Sequence, residues 1–155
     1  MEYANTQDSP QKGTLNIEQF KQLYHQFDRA TLAQLHEVYS PAIRFKDPVH
    51  QLDGLDALTN YFEHFCSADN NYQFEFTNEL ITANQAFFQW TMHYTHPQLQ
   101  HGARLQLEGG SLIKFDQHIY YHEDFYDMGA MIYQHLPIMG WLVKKINARI
   151  VGQAQ

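Results

Sequence analysis

LQLEGGSLIKFDQHIYYHEDFYD, Leu105–Asp127, reads as one antiparallel hairpin. In its first arm Leu105, Leu107, Ser111, Ile113 and Phe115 share a face, the period-2 pattern of a strand. Gly109-Gly110 in the middle of that arm predicts a bulge or a sharp bend. Asp116-Gln117-His118 supplies a tight turn, and the second arm alternates again. There His122, Asp124 and Tyr126 share one face, and Tyr121, Glu123 and Phe125 share the other. If the first set faces inward, two ionisable groups enter an apolar interior, which is costly without a partner or water. That cost is the physical reason to read His122 and Asp124 as an oriented acid/base pair. With the faces swapped, both are surface residues.

Upstream, the same period holds. YQFEFT places Tyr72, Phe74 and Phe76 on one face, and AFFQWTMHYTH places Phe88, Trp90, Met92 and Tyr94 on one face. Trp90 and Met92 are expected to wall a pocket or fill a core, and His93 falls on the opposite face. Before Ser67 the period is helical. Asn16 is a candidate N-cap with Gln19 three residues on. Ile17, Phe20, Leu23, Tyr24 and Phe27 then form one apolar stripe. Asp28 and Thr31 mark a break and a new cap. Leu32, Leu35, Val38 and Tyr39 carry a second short helix that Pro41 ends. AIRF is a short strand, broken at Asp47-Pro48 because a residue before proline avoids the α region. After Gly54 a third helix turns Leu55, Leu58, Tyr61, Phe62 and Phe65 inward.

Helices, a short strand, a helix and then a long meander predict an α+β fold: a curved antiparallel sheet wrapped around N-terminal helices, with a cone-shaped hollow between them. Residues 1–14 read as a flexible polar arm, 15–128 as the domain, and 129–155 as a helical extension. In that extension Ile138, Trp141, Leu142 and Ile146 form an apolar stripe beside Lys144, Lys145 and Arg149. It either closes the cone or packs on a dimer mate, or else it touches a membrane surface; the first is preferred.

The chain has 155 residues, 44% hydrophobic and 15% aromatic, enough for one real core. A net charge of −7 argues against a nucleic-acid footprint. One cysteine, Cys66, excludes an intrachain disulfide and thiolate metal clusters. No apolar run is long enough to span a bilayer, and the polar start lacks the core of a signal peptide. A cytoplasmic location is the expectation. Ten histidines invite a metal, and His50, His122 and Asp124 would make a facial triad if they converged. No spacing demands it, so no metal is expected.

NIEQFKQLYHQF, IRFKDPVHQLDGLDALTNYF, LQLEGGSLIKF and HIYYHEDFYD together resemble the nuclear transport factor 2-like superfamily, in particular its SnoaL-like and ketosteroid-isomerase-like domains. The resemblance runs from about Asn16 to Asp127. It implies a cone-shaped α+β roll with one pocket, and a homodimer through the open sheet face. In the isomerase the general base is an aspartate followed by Pro-Val, so the resemblance makes Asp47 in KDPV a candidate base. An ordinary strand-end aspartate is the alternative. Tyr24 lies near the isomerase's oxyanion-hole tyrosine, with a one-residue shift, and is otherwise a stripe tyrosine. The isomerase's second donor, a protonated aspartate, falls here on Ser111, a departure that withholds the steroid substrate. The cyclases' acidic residue on the last strand makes Asp124 a second candidate.

Two functions follow. The first is a cofactor-free proton-transfer enzyme (isomerase, cyclase or dehydratase) acting on a small apolar carbonyl or hydroxyl compound. Asp47, Asp124, His122 and Tyr24 would be its catalytic groups, and Trp90, Ser111, Tyr126, Tyr61 and Met92 would line its substrate. The second is a ligand-binding or dimeric interaction module without turnover.

Overall fold

The computed structural model describes residues 15–66, 71–132, 135 and 137–152. The expected arm at 1–14 lies outside them. The elements run α1 (Ile17–His25), α2 (Arg29–Leu32), α3 (Leu35–Val38), β1 (Tyr39–Lys46), β2 (Gln51–Asp53), α4 (Leu55–Phe65), β3 (Asn71–Ile81), β4 (Gln85–Thr95), β5 (Leu105–Phe115), β6 (Ile119–Tyr126), α5 (Met128–Met131) and α6 (Pro137–Gly152). The strands form one sheet in the order β2-β1-β6-β5-β4-β3.

The helices start where capping chemistry allows. Asn16 accepts the N–H groups of Glu18 and Gln19 at 3.0 and 3.3 Å, which satisfies two orphan donors of α1. Asp28 and Thr31 form a reciprocal capping box at α2. The single second helix expected from the periodicity is instead two one-turn helices, α2 and α3. Tyr39 opens β1 rather than closing a helix, and Pro41 sits inside the strand. Gly54 precedes α4 at φ 95°, a conformation that glycine alone adopts without strain.

The sheet is mixed, not wholly antiparallel: β1 runs parallel to β6, with Phe45 beside His122. The chain can do this because α4 and the meander lie between the two strands in sequence. No bulge or register break falls at Gly109-Gly110, where the ladder is continuous on both sides. Register shifts occur instead between Phe76 and Asn78, between Lys114 and Phe115, and along β1 after Tyr39. Such shifts increase local twist and curl a sheet.

The glycines serve close approach. A Cβ on Gly109 would lie 2.3 Å from Trp90 Cη2, and one on Gly110 would lie 2.6 Å from Phe87 Cζ. Trp90 therefore lies flat across Gly109 on the inner face, and Phe87 across Gly110 on the outer.

The inner face packs on α1 and α4. Phe20, Phe45, Phe88, Leu58 and Ile113 are all at or below 1% exposure. Phe87 and Phe125 lie exposed on the outer face. In α6, Trp141, Leu142, Ile146 and Ile150 are exposed as well. No helix among the described residues is long and apolar enough to cross a membrane.

Candidate active site

A cavity opens between the inner face of the sheet and helices α1 and α4. About 510 Å³ of non-atom space lies among its lining residues, open solvent included. Fourteen residues line it, ten aromatic, two aspartate and two methionine. A wider, mostly apolar vestibule outside it shares Tyr61, Phe65, Tyr72, Tyr126 and Met131 with the inner chamber. Tyr94 donates its hydroxyl to the Met131 carbonyl at 2.7 Å, which ties α5 to the vestibule wall.

The inner face of β6 carries His122, Asp124 and Tyr126. His122 is fully buried, Phe125 is exposed, and Asp124 and Tyr126 line the cavity. The cost of burying His122 and Asp124 is met by a chain of hydrogen bonds. The directions follow from which groups can only donate. Trp90 Nε1–H donates to Ser111 Oγ at 2.8 Å, so Ser111 donates onward to Asp124 Oδ1 at 2.5 Å. His122 Nε2 meets the same Oδ1 at 2.8 Å. With Nε2 protonated toward the carboxylate, Nδ1 accepts the Tyr39 hydroxyl at 2.8 Å, and Tyr39 accepts from Tyr24 at 2.6 Å. Two branches thus converge on one oxygen. Asp124 Oδ2 has no hydrogen-bond partner among the described residues.

Asp47 is held differently. Its Oδ1 accepts the N–H groups of Val49 and His50, both at 2.7 Å, and its Oδ2 accepts the Tyr61 hydroxyl. The strand-end role is therefore real: Asp47 closes the turn from β1 to β2. It also lines the cavity, but both oxygens are engaged.

Tyr24 lines the cavity with its ring, while its hydroxyl is spent on Tyr39. Ser111 lies behind Trp90, not on the cavity wall, and its hydroxyl is spent on Asp124. Tyr126 lines the chamber, and its hydroxyl has no hydrogen-bond partner among the described residues. Trp90, Met92 and Tyr61 line the chamber too. His50 sits on the vestibule, away from His122. No group of three or more His, Cys, Asp or Glu among the described residues is placed to hold a metal.

Sequence reasoning missed Tyr39, the link between α1 and His122, because its periodicity read as helical. It also missed Phe45, Phe62 and Phe74, which look like any core aromatics.

Burial first, then the charge of Asp124, pushes the Tyr24 phenol well above the usual tyrosine range. Burial also pushes up Tyr39, and it pushes Tyr72 up to about 12. A phenol raised in the folded state contributes stability that is fully present below its unfolded value. That stability is lost as pH rises through the folded value. Unfolding free energy is therefore expected to fall from about pH 10 upward. Phenolate absorbance should then lag that of the urea-unfolded chain. Coincident titration curves would contradict the buried network.

Replacing Tyr39 by Phe leaves His122 Nδ1 and the Tyr24 hydroxyl without their partner. A loss of about 1–2 kcal/mol is expected in urea unfolding, while the unrelated surface variant Gln89→Ala stays near zero.

The sequence matches the SnoaL-like domain family over residues 20–122. No curated protein matches it by sequence. Similar solved structures include an NTF2-like protein of unknown function from Burkholderia pseudomallei, at 16% identity and TM-score 0.64, covering 75% of this chain and 93% of that one. A protein of ketosteroid isomerase-like fold from Catenulispora acidiphila, in complex with trimethylamine, is 10% identical at TM-score 0.63, covering 77% and 90%. An LEH-like epoxide hydrolase from M. tuberculosis is 11% identical at TM-score 0.60, covering 88% and 92%. At these identities the likeness is one of fold.

Proposed function

The chain belongs to the SnoaL-like domain family, and we propose that it uses this fold for cofactor-free proton transfer on a small, largely apolar carbonyl or hydroxyl compound. One observation carries the reading: Asp124 is fixed through Oδ1 by Ser111 and His122, while its Oδ2 is left unpartnered at an aromatic cavity. A carboxylate oriented in this way can remove a proton from a carbon beside a carbonyl. The C–H bond breaks, an O–H bond forms on Oδ2, and the electron pair moves onto the substrate oxygen. Tyr126, on the same face of β6 as Asp124, has a hydroxyl free to donate to that oxygen, a role that Tyr24 and Ser111 cannot take while their protons point elsewhere. Return of the proton to a second carbon completes an isomerisation; loss of hydroxide completes a dehydration; attack on a second carbonyl closes a ring.

His122 acts behind the reacting carboxylate. Its Nε2–H holds Oδ1, and Tyr39 fixes the tautomer that makes this possible. Asp47 lines the chamber with both carboxylate oxygens engaged.

The second reading is a binding module without turnover. It is favoured by the internal engagement of Asp47, Tyr24 and Ser111. The two readings separate on one experiment. The protein is incubated in D₂O with a panel of small cyclic ketones and β-hydroxyketones, neutral and amine-bearing. Deuterium at the carbon beside the oxygen function is then followed by proton NMR. Uptake that depends on Asp124 supports the enzyme; saturable binding without uptake in any member supports the module.

A further inference from the structure

The ionisable side chains that line the inner chamber are all acids. Among its described lining residues are two carboxylates and several phenols, and no lysine, arginine or histidine. His122 stands behind the wall, and His50, His64 and His96 stand outside on the vestibule. The hydrogen-bond donors to Asp47 are backbone N–H groups and a phenol, and the one nearby basic group is the His50 ring, whose Nδ1 stands 3.5 Å from Oδ1.

Both carboxylates act on the same space. Burial and then the fields of Asp47 and Asp124 hold the Tyr126 phenol above its usual range. Both charges likewise reach Tyr61, after its burial and its bond to Asp47. Field of one sign inside low-dielectric walls attracts the opposite charge and repels its own. The walls add to this, because aromatic faces carry negative quadrupole potential toward a bound cation. An oxyanion forming here would face the Asp47 carboxylate, Asp124 having taken the proton, with only neutral phenols to receive it. A positive charge on the same molecule offsets that repulsion.

We infer that the compound this cavity takes carries a protonated or quaternary amine, seated among the rings between Asp47 and Asp124. The inference rests on the proton-transfer reading only for the neighbouring carbonyl or hydroxyl group. Anionic compounds, such as carboxylates and phosphate-bearing thioesters, are excluded by the same field.

The test uses three probes of one shape and different charge: choline, its neutral carbon analogue 3,3-dimethylbutan-1-ol, and the 3,3-dimethylbutanoate anion. Binding to the full chain is measured by isothermal titration near neutral pH. Choline is expected to bind about tenfold or more tighter than the neutral alcohol, with no measurable heat from the anion. In Asp47→Asn/Asp124→Asn the choline preference over the alcohol should vanish, with circular dichroism showing the fold intact. Equal binding of choline and the alcohol, or no binding of choline, overturns the inference. So does a preference that survives the double variant.

Choline carries no carbon acid beside a carbonyl, so its binding reports charge alone. A choline preference with no deuterium uptake in any ketone, amine-bearing ketones included, would sink the proton-transfer reading and leave this one standing. Uptake in neutral ketones with equal binding of the two probes would do the reverse.

Discussion

Asp124→Asn is expected to lower deuterium uptake into any ketone turned over by the wild-type protein about 10²–10⁴-fold, with the fold unchanged. The asparagine side chain keeps the size of the carboxylate and can still accept the Ser111 hydroxyl at its carbonyl oxygen. It cannot take up a proton from carbon. His122→Gln should lose less, because His122 is buried behind Asp124 and orients it without reaching the cavity. Asp47→Asn should lose least, since both Asp47 oxygens are already engaged in the turn and with Tyr61. The order of the three variants carries more information than any one of them. If Asp47→Asn were the most damaged, Asp47 would be the base and the network around Asp124 would be structural. Proton NMR in D₂O reads the rates, and thermal unfolding shows whether each variant is folded.

The largest stability effect is expected from Gly109→Ala. Its Cβ would sit 2.3 Å from Trp90 Cη2 and 2.6 Å from Cζ2, inside the contact distance of any two carbons. The ring cannot simply slide away. Its Nε1–H is bonded to Ser111, and Phe74 meets it edge-on at 5.2 Å. Overpacking costs about 1–3 kcal/mol, and breaking the buried bond to Ser111 adds about 1 kcal/mol or more. A total loss of about 3 kcal/mol is expected in urea unfolding, with a shift in Trp90 emission as the indole tilts toward the cavity. Because Ser111 also holds Asp124, any ketone turnover should fall in the same variant. A stability within 0.5 kcal/mol of wild type, roughly the noise of a surface change, would show that the glycine is dispensable. The neighbouring Gly110→Ala meets Phe87, which is half-exposed on the outer face and has room to move. Its loss should be smaller.

The sequence by itself determined the elements whose signal is local. The meander was legible because strands alternate every two residues, and α1 because an asparagine cap precedes a clean apolar stripe. The inward set on β6 was legible as a face, since alternation groups His122, Asp124 and Tyr126 wherever the strand goes. Tertiary structure decided which way that face points, and what each polar group is bonded to. No local pattern announces that β1 lies parallel to β6, yet that pairing brings the Tyr39 hydroxyl to His122. The glycine pair reads as a bend in one dimension; only an opposing strand reveals that Trp90 needs the missing Cβ. Asp47 and Asp124 looked like equal candidates because a carboxylate's residue type does not record its partners. Hydrogen bonding between residues far apart in the chain separates them, engaging both oxygens of one and leaving an oxygen of the other unpartnered.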